Sequence, residues 1–259
     1  MDTSRFIPFD NPILDSDIPE KFVLMLHNTP HKLCLMAANQ LQDYLLKQTD
    51  WVHNFGLNNH INGNIIGKMF GVLVVKNQQN EIGFLAAFSG KLANTNDHSY
   101  FVPPVFDSLA ENSFLNKGMT QLSAIIEEIN ELETQQQIIN LPQISALKIK
   151  RKEHSIKLQH LLFDNYIFTN QLGNSKNAHE VYKNALYKNP PAGGGECATP
   201  KLLQYAFNNK MKPLAVAEFW WGHSPKSNHW KHKQYYACCK EKCEPILTHM
   251  LMGIEFEYK

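Results

Sequence analysis

Arginine is almost missing from this chain of 259 residues: among 25 Lys and Arg, only Arg5 and Arg151 carry a guanidinium. Dense bidentate clamping of phosphates or guanines is thereby excluded, because lysine offers a point charge and no planar fork. Charge of one sign is lacking too, since 24 Asp and Glu leave a formal net charge of +1. Nucleic acid cannot be held by a global excess of cations, and any RNA contact has to be local. No apolar run approaches the roughly 18 residues of a membrane span. The opening MDTSRFIPFDNP places acids and prolines where a secretory leader has a basic and then an apolar stretch. A cytoplasmic protein with no membrane partner is the expectation. Cysteine is sparse and mostly late, the five being Cys34, Cys197, Cys238, Cys239 and Cys243. That odd, clustered set does not describe a secreted disulfide framework and points to reduced thiols or a metal site. Neither the Gly-x-Ser-x-Gly turn of serine hydrolases nor the His-Arg-Asp loop of kinases occurs.

Hydrophobic residues make up 43% and charged residues 19%, which suffices for a packed core and argues against wholesale disorder. In HKLCLMAANQLQDYLLKQ (31–48) the leucines and Met36 share roughly one helical stripe, predicting an amphipathic helix. The apolar runs IIGKMFGVLVV (65–75) and IGFLAAFSG (82–90), joined by the polar KNQQNE, predict an antiparallel hairpin. From Thr120 to Asn170 glycine disappears, and Leu122, Ile125, Ile126, Ile129 and Leu132 recur at helical spacing. Pro142 has no amide hydrogen to give, so this stretch should divide into helices of about 120–140 and about 143–169. Its basic residues, Lys148, Lys150, Arg151, Lys152 and Lys157, suit a solvated face. LGNSKNAHEVYKN reads as a linker, and NPPAGGGECATPKLLQYA (189–206) as a loop feeding a helix. Then follow a buried strand, KPLAVAEFWW (212–221), a polar excursion, a turn into a short helix in ACCKEKCEPILTHML, and a last strand in GIEFEY.

The predicted fold class is α+β: a mixed sheet of about four or five strands flanked by helices, with a projecting helical hairpin. Residues 1–118 and 171–259 form two parts of one domain, and 119–170 is a coiled-coil-like insertion through which a homodimer could form (residues 120–169).

Cys197 stands at one expected helix start, and Cys239 and Cys243 at another. Thiolates at helix N-termini are stabilised by the dipole and free amide hydrogens, which suits them to zinc. Zinc-dependent nucleobase deaminases place one ligand and a catalytic glutamate at the start of one helix and two cysteines at the next, with strands between. The order of elements here is deaminase-like. Two departures stand out: Thr199 occupies the place of the glutamate two residues after the first ligand, and three residues rather than two separate Cys239 from Cys243. In this enzyme alternative Cys197, Cys239 and Cys243 hold zinc and Glu196 carries the proton; otherwise the cysteines are structural-zinc ligands or free thiols. The glycines at 193–195 lead to Glu196 and Cys197 instead of the Lys and Ser or Thr of a nucleotide loop, so a tight turn is expected. His223, His229 and His232 read as polar loop residues. Around them, Trp220, Trp221, Lys226, Trp230 and Lys231 mix aromatic faces with cations, the ingredients for contact with RNA.

WVHNFGL, GKMFGVLVV with GFLAAFSGKL and FVPPVFD, GECATPKLLQYAF with KPLAVAEFWWGHSPKS, and CKEKCEPIL with HMLMGIEFE together resemble one known family. They are similar to the N-terminal extension of long RluA-like RNA pseudouridine synthases, over nearly the whole chain. The resemblance implies a part in RNA modification, acting on rRNA or tRNA, with no cofactor needed to isomerise uridine. It carries over no catalytic residue: the family's His-Arg-Leu-Asp motif is absent, Arg5 being followed by Phe and Arg151 by Lys. An accessory, non-catalytic RNA-positioning domain is the leading expectation, either encoded apart from a catalytic partner chain or left by a truncated or split reading frame. The zinc hydrolase and a coiled-coil interaction protein are the alternatives.

Overall fold

The computed structural model describes residues 4–25, 27–58, 61–110, 113–135, 137–185 and 189–258. Nine strands are seen among them: β1 (Ile7–Pro8), β2 (Phe22–Leu24), β3 (Lys68–Lys76), β4 (Ile82–Phe88), β5 (Ile167–Thr169), β6 (Ser175–Asn177), β7 (Lys212–Trp221), β8 (Tyr235–Tyr236) and β9 (Phe256–Tyr258). Six α-helices accompany them: α1 (Lys32–Lys47), α2 (Phe114–Thr134), α3 (Leu141–Asn165), α4 (Ala178–Tyr182), α5 (Ala198–Asn208) and α6 (Glu244–Met250). The chain divides into two compact units, residues 1–105 with 167–259, and residues 106–166. Among the described residues no helix is long and apolar enough to cross a membrane.

The first unit is built on a mixed sheet of seven strands in the order β1-β4-β3-β7-β2-β9, with β8 also paired to β7. The α+β class stands, while the sheet is larger than the four or five strands expected. The extra ones are pieces of two or three residues such as β1, β2 and β8, too short to leave a period-two pattern. Strands β3, β4 and β7 pair antiparallel, whereas β2 runs parallel to both β7 and β9. Alternation divides the long strands between two faces. Phe70, Val72, Val74, Phe84, Ala86, Ala215, Ala217 and Phe219 join Leu33, Ala37, Ala38 and Leu41 of α1 in one fully dehydrated core. Gly71, directly opposite Glu218 in the β3–β7 register, lies on the other face, against α5.

Between β5–β6 and α5 the expected linker is instead ordered structure. Asn177 accepts from the Glu180 amide while the Glu180 carboxylate accepts from the Asn177 amide, a capping box that starts α4. Five residues carry no periodicity, so this helix depends on its cap and on burial of Ala178 and Tyr182.

The second unit is the expected pair of helices with shifted ends. Helix α2 starts at Phe114, not near 120, because the Ser113 hydroxyl accepts from the Asn116 amide and closes the first turn. It ends at Thr134; Gln136 lies outside the described residues, and the expected range of about 120–140 is thus corrected at both ends. Pro142 sits at the second position of α3, where its missing N–H removes no helical bond. Ile125 and Ile129 of α2 meet Ile144 and Leu147 of α3. The unit boundaries, 106–166, replace the expected 119–170.

A Cβ on Gly71 would come within 2.9 Å of the Ala198 Cβ and 3.5 Å of the Glu218 Cγ. Helix α5 can lie this close to the sheet because position 71 has no side chain. Gly71→Val is expected to cost about 1–3 kcal/mol through overpacking, measured as a lowered urea midpoint; an unchanged midpoint would show that α5 can move away freely.

Candidate metal centre

Cys197 is the N-cap of α5 and Cys243 that of α6, so both thiols stand where backbone N–H groups point outward without helical partners. Cys239 lies in the turn before α6. The three Sγ atoms are within 4.8 Å of one another, the sole such group of three or more potential ligands among the described residues. Cys239 and Cys243 are 3.5 Å apart, sulfur to sulfur. Their unusual spacing is absorbed by the turn: the Cys239 carbonyl accepts from both the Cys243 amide at 3.1 Å and the Glu244 amide at 3.2 Å. The Tyr182 hydroxyl of α4 donates to the Lys242 carbonyl and holds this turn from outside. The sequence pattern around Tyr182 gave no sign of this role, because the contact spans 60 positions.

The sulfurs share charge unequally. Cys197 and Cys243 both direct their thiols at Cys239, which holds the Cys239 pKa far below its usual value and raises their own. A divalent cation would reverse this competition, since it stabilises every coordinating thiolate at once. Cys239 is exposed, Cys197 half-buried and Cys243 buried, so the cluster reaches solvent at one end. Cys34 lies on the core-facing side of α1 and belongs to no such group.

Glu218 was not among the sequence candidates. It sits on β7 with its carboxylate buried, and its Oε1 accepts from both the Thr199 amide, at 2.9 Å, and the Thr199 hydroxyl, at 2.8 Å. Thr199 thus brings a strand carboxylate to the first turn of α5. The same hydroxyl lies 3.3 Å from the Cys238 sulfur. Burial pushes the Glu218 pKa up to about 7, against which the two Thr199 bonds act. AEFWW reads as core strand, and a single acid within it was the available signal, because a carboxylate in an apolar strand needs a partner.

Glu196, the sequence candidate for proton transfer, lies elsewhere. Its carboxylate faces Gly90 and Gly193, and its charge acts on Lys68 and Lys201. Lys201 is buried in α5, donates to the Phe88 carbonyl at 2.9 Å and stands 5.0 Å over the Phe88 ring. Burial lowers its pKa to about 8. The glycine loop is a turn, with positive φ at Gly193 (73°) and Gly195 (94°), as expected.

The aromatic candidates separate. Trp221 is 1% exposed and packs edge-on against His232, so it is a core residue and no part of an RNA surface. Trp220 and Trp230 are half-buried and stacked on each other at 5.3 Å, while Lys226 and Lys231 are exposed. His223, His229 and His232 form no ligand group; His232 Nδ1 accepts from the Gly222 amide at 2.9 Å.

No family model, curated protein or solved structure matches the chain. The chemistry of the site therefore rests on its own geometry.

Glu218 gives metal-free protein a pH-dependent stability with a definite sign. Its folded pKa, about 7, exceeds the usual 4.5, so between these values the folded chain retains a proton that the unfolded chain has lost. Stability from this group is full below about 4.5 and falls as pH rises toward about 7, on the order of 3 kcal/mol in all. Urea unfolding of apoprotein across this window should show the decline in wild type and a flatter profile in Glu218→Gln; parallel profiles would contradict it.

Proposed function

We propose that the chain is a zinc-holding accessory domain of RNA modification, related to the extension that precedes the catalytic part of long RluA-like pseudouridine synthases. The observation that carries the metal assignment is the meeting of Cys197, Cys239 and Cys243 within 4.8 Å, from two helix starts separated by strand β7. The donor set fits: three soft thiolates within 4.8 Å of one another select zinc over magnesium or calcium. Bound there, zinc would neutralise the thiolates and tie α5 to the turn before α6.

RNA is the proposed partner on the strength of the sequence resemblance, and the exposed Lys226 and Lys231 beside the half-buried Trp230 are the surface offered to it. Two lysines and one partly available ring make a weak, salt-sensitive contact, which suits positioning more than capture. Uridine isomerisation itself needs an aspartate motif that these residues do not contain, so the role proposed for them is positioning RNA and not catalysis of that step.

Elemental analysis of protein purified without chelator should find about one zinc per chain, with Cys197→Ser and Cys243→Ser both losing it and melting at lower temperature. Absence of metal from wild type would sink the assignment. In fluorescence anisotropy with single-stranded RNA, Lys226→Ala and Lys231→Ala should each lower the slope of log K against log salt by about 1. Slopes that do not change would remove this surface from the proposal.

A further inference from the structure

Three protein ligands leave a tetrahedral ion one open position, the arrangement of hydrolytic rather than structural zinc sites. The sulfur nearest to completing a fourth ligand is engaged elsewhere: Cys238 meets the Thr199 hydroxyl at 3.3 Å and lies outside the three-sulfur group. What stands beside the cluster instead is a carboxylate with no solvent exposure to speak of, held at the first turn of α5 by two bonds from Thr199. Capping α5 explains those two bonds but not the charge, since an amide oxygen would accept both equally well and cost less to bury. A groove lined by Leu24, Met25, Phe256 and Tyr258 takes in Cys238 and Lys240, the two chain neighbours of Cys239, and its apolar walls suit a flat ring.

We propose that the centre is hydrolytic, with Glu218 as the group that binds the attacking water and carries its proton, and an amine-bearing nucleobase as substrate. The inference rests on the zinc reading above. Glu218 accepts a proton from the water as its oxygen bonds to the ring carbon that bears the amine. The adjacent ring nitrogen takes up the electron pair of the attacked bond; Glu218 then returns its proton to the leaving nitrogen, the carbon–nitrogen bond breaks, the remaining hydroxyl proton passes to the ring nitrogen as the carbonyl forms, and ammonia departs. One water is consumed per ammonia released, with no oxidant or reductant. The carboxylate reaches the site from β7, not from the helix that carries the first ligand. Thr199, which holds it, is a positioning residue.

Glu218→Gln preserves both acceptor bonds and removes the buried charge, so it should keep zinc and melt no lower than wild type. Substituting cobalt for zinc gives a readout independent of turnover. The visible spectrum of the wild-type cobalt protein should change with pH as a bound water ionises, with the midpoint displaced by about one unit in Glu218→Gln, and Cys238→Ala should leave the spectrum unaltered. With cytosine- and adenine-containing single-stranded RNA and the free nucleosides, the zinc protein should release ammonia, and Glu218→Gln should be slower by about 10²- to 10⁴-fold. A four-sulfur cobalt spectrum that changes in Cys238→Ala, a midpoint identical in Glu218→Gln, or no ammonia from any of these substrates would overturn the hydrolytic role while leaving the metal in place. Wild type that takes up neither zinc nor cobalt would instead remove the metal reading on which it rests.

Discussion

The close seating of the first turn of α5 on strands β3 and β7 is the constraint on which the rest of the site depends. A helix start brings free amide hydrogens, and the sheet must meet them with an acceptor or leave them unpaired in the core. Gly71 supplies the space and Glu218, across the register from it, supplies the acceptor. The position of Cys197 follows, because the N-cap of a helix pinned at its second residue has little freedom. Lys201, one turn further on, fastens the same helix to the end of β4 through the Phe88 carbonyl. Each of these buried groups is fixed by backbone or side-chain bonds that an apolar residue could not make.

The second half of the site is fixed by a different device. Helix α6 is only seven residues long, and its start is set by a turn whose carbonyl acceptor is Cys239 itself. Tyr182 fastens that turn to α4, whose own existence depends on the Asn177–Glu180 capping box. The thiol cluster is therefore convergent: one sulfur comes from a helix anchored to the sheet, and two from a turn anchored to a short helix earlier in the chain. Such a meeting of distant elements places reactive groups on a rigid frame and leaves one of them, Cys239, at the surface.

How much of this was legible in the residues depended on the range of the interaction responsible. The long strands, α1 and the helical pair announce themselves through periodicity, which is local. The thiols at two helix starts were visible for the same reason, since Gly and Pro punctuate the chain just before Cys197 and Pro245 follows Cys243. The parallel insertion of β2 beside β7 was not visible, because three residues carry no period and the partner lies far along the chain. Glu218 was hidden by its own context: in AEFWW a single acid looks like an exception, and its partner Thr199 is 19 residues away. The Trp221 side chain was misplaced for the complementary reason. An aromatic next to a polar loop reads as surface, yet alternation along β7 turns it into the α1-side core, with Phe219 two residues before it.

The charges around the site point in one direction. Without an ion, three sulfurs within 4.8 Å can hold little more than one negative charge, and the neighbouring carboxylate is raised toward its neutral form by burial. Four acidic groups gathered in this way oppose one another's ionisation, which makes their proximity costly as a purely structural arrangement. A divalent cation removes most of the conflict: three thiolates around zinc leave about one net negative charge, small enough to be offset by Lys201, which interacts electrostatically with Cys197. That residual charge still acts on Glu218 and favours its protonated form. A buried carboxyl that keeps its proton near neutral pH can both give and accept one, which is the property a proton carrier needs and a helix cap does not.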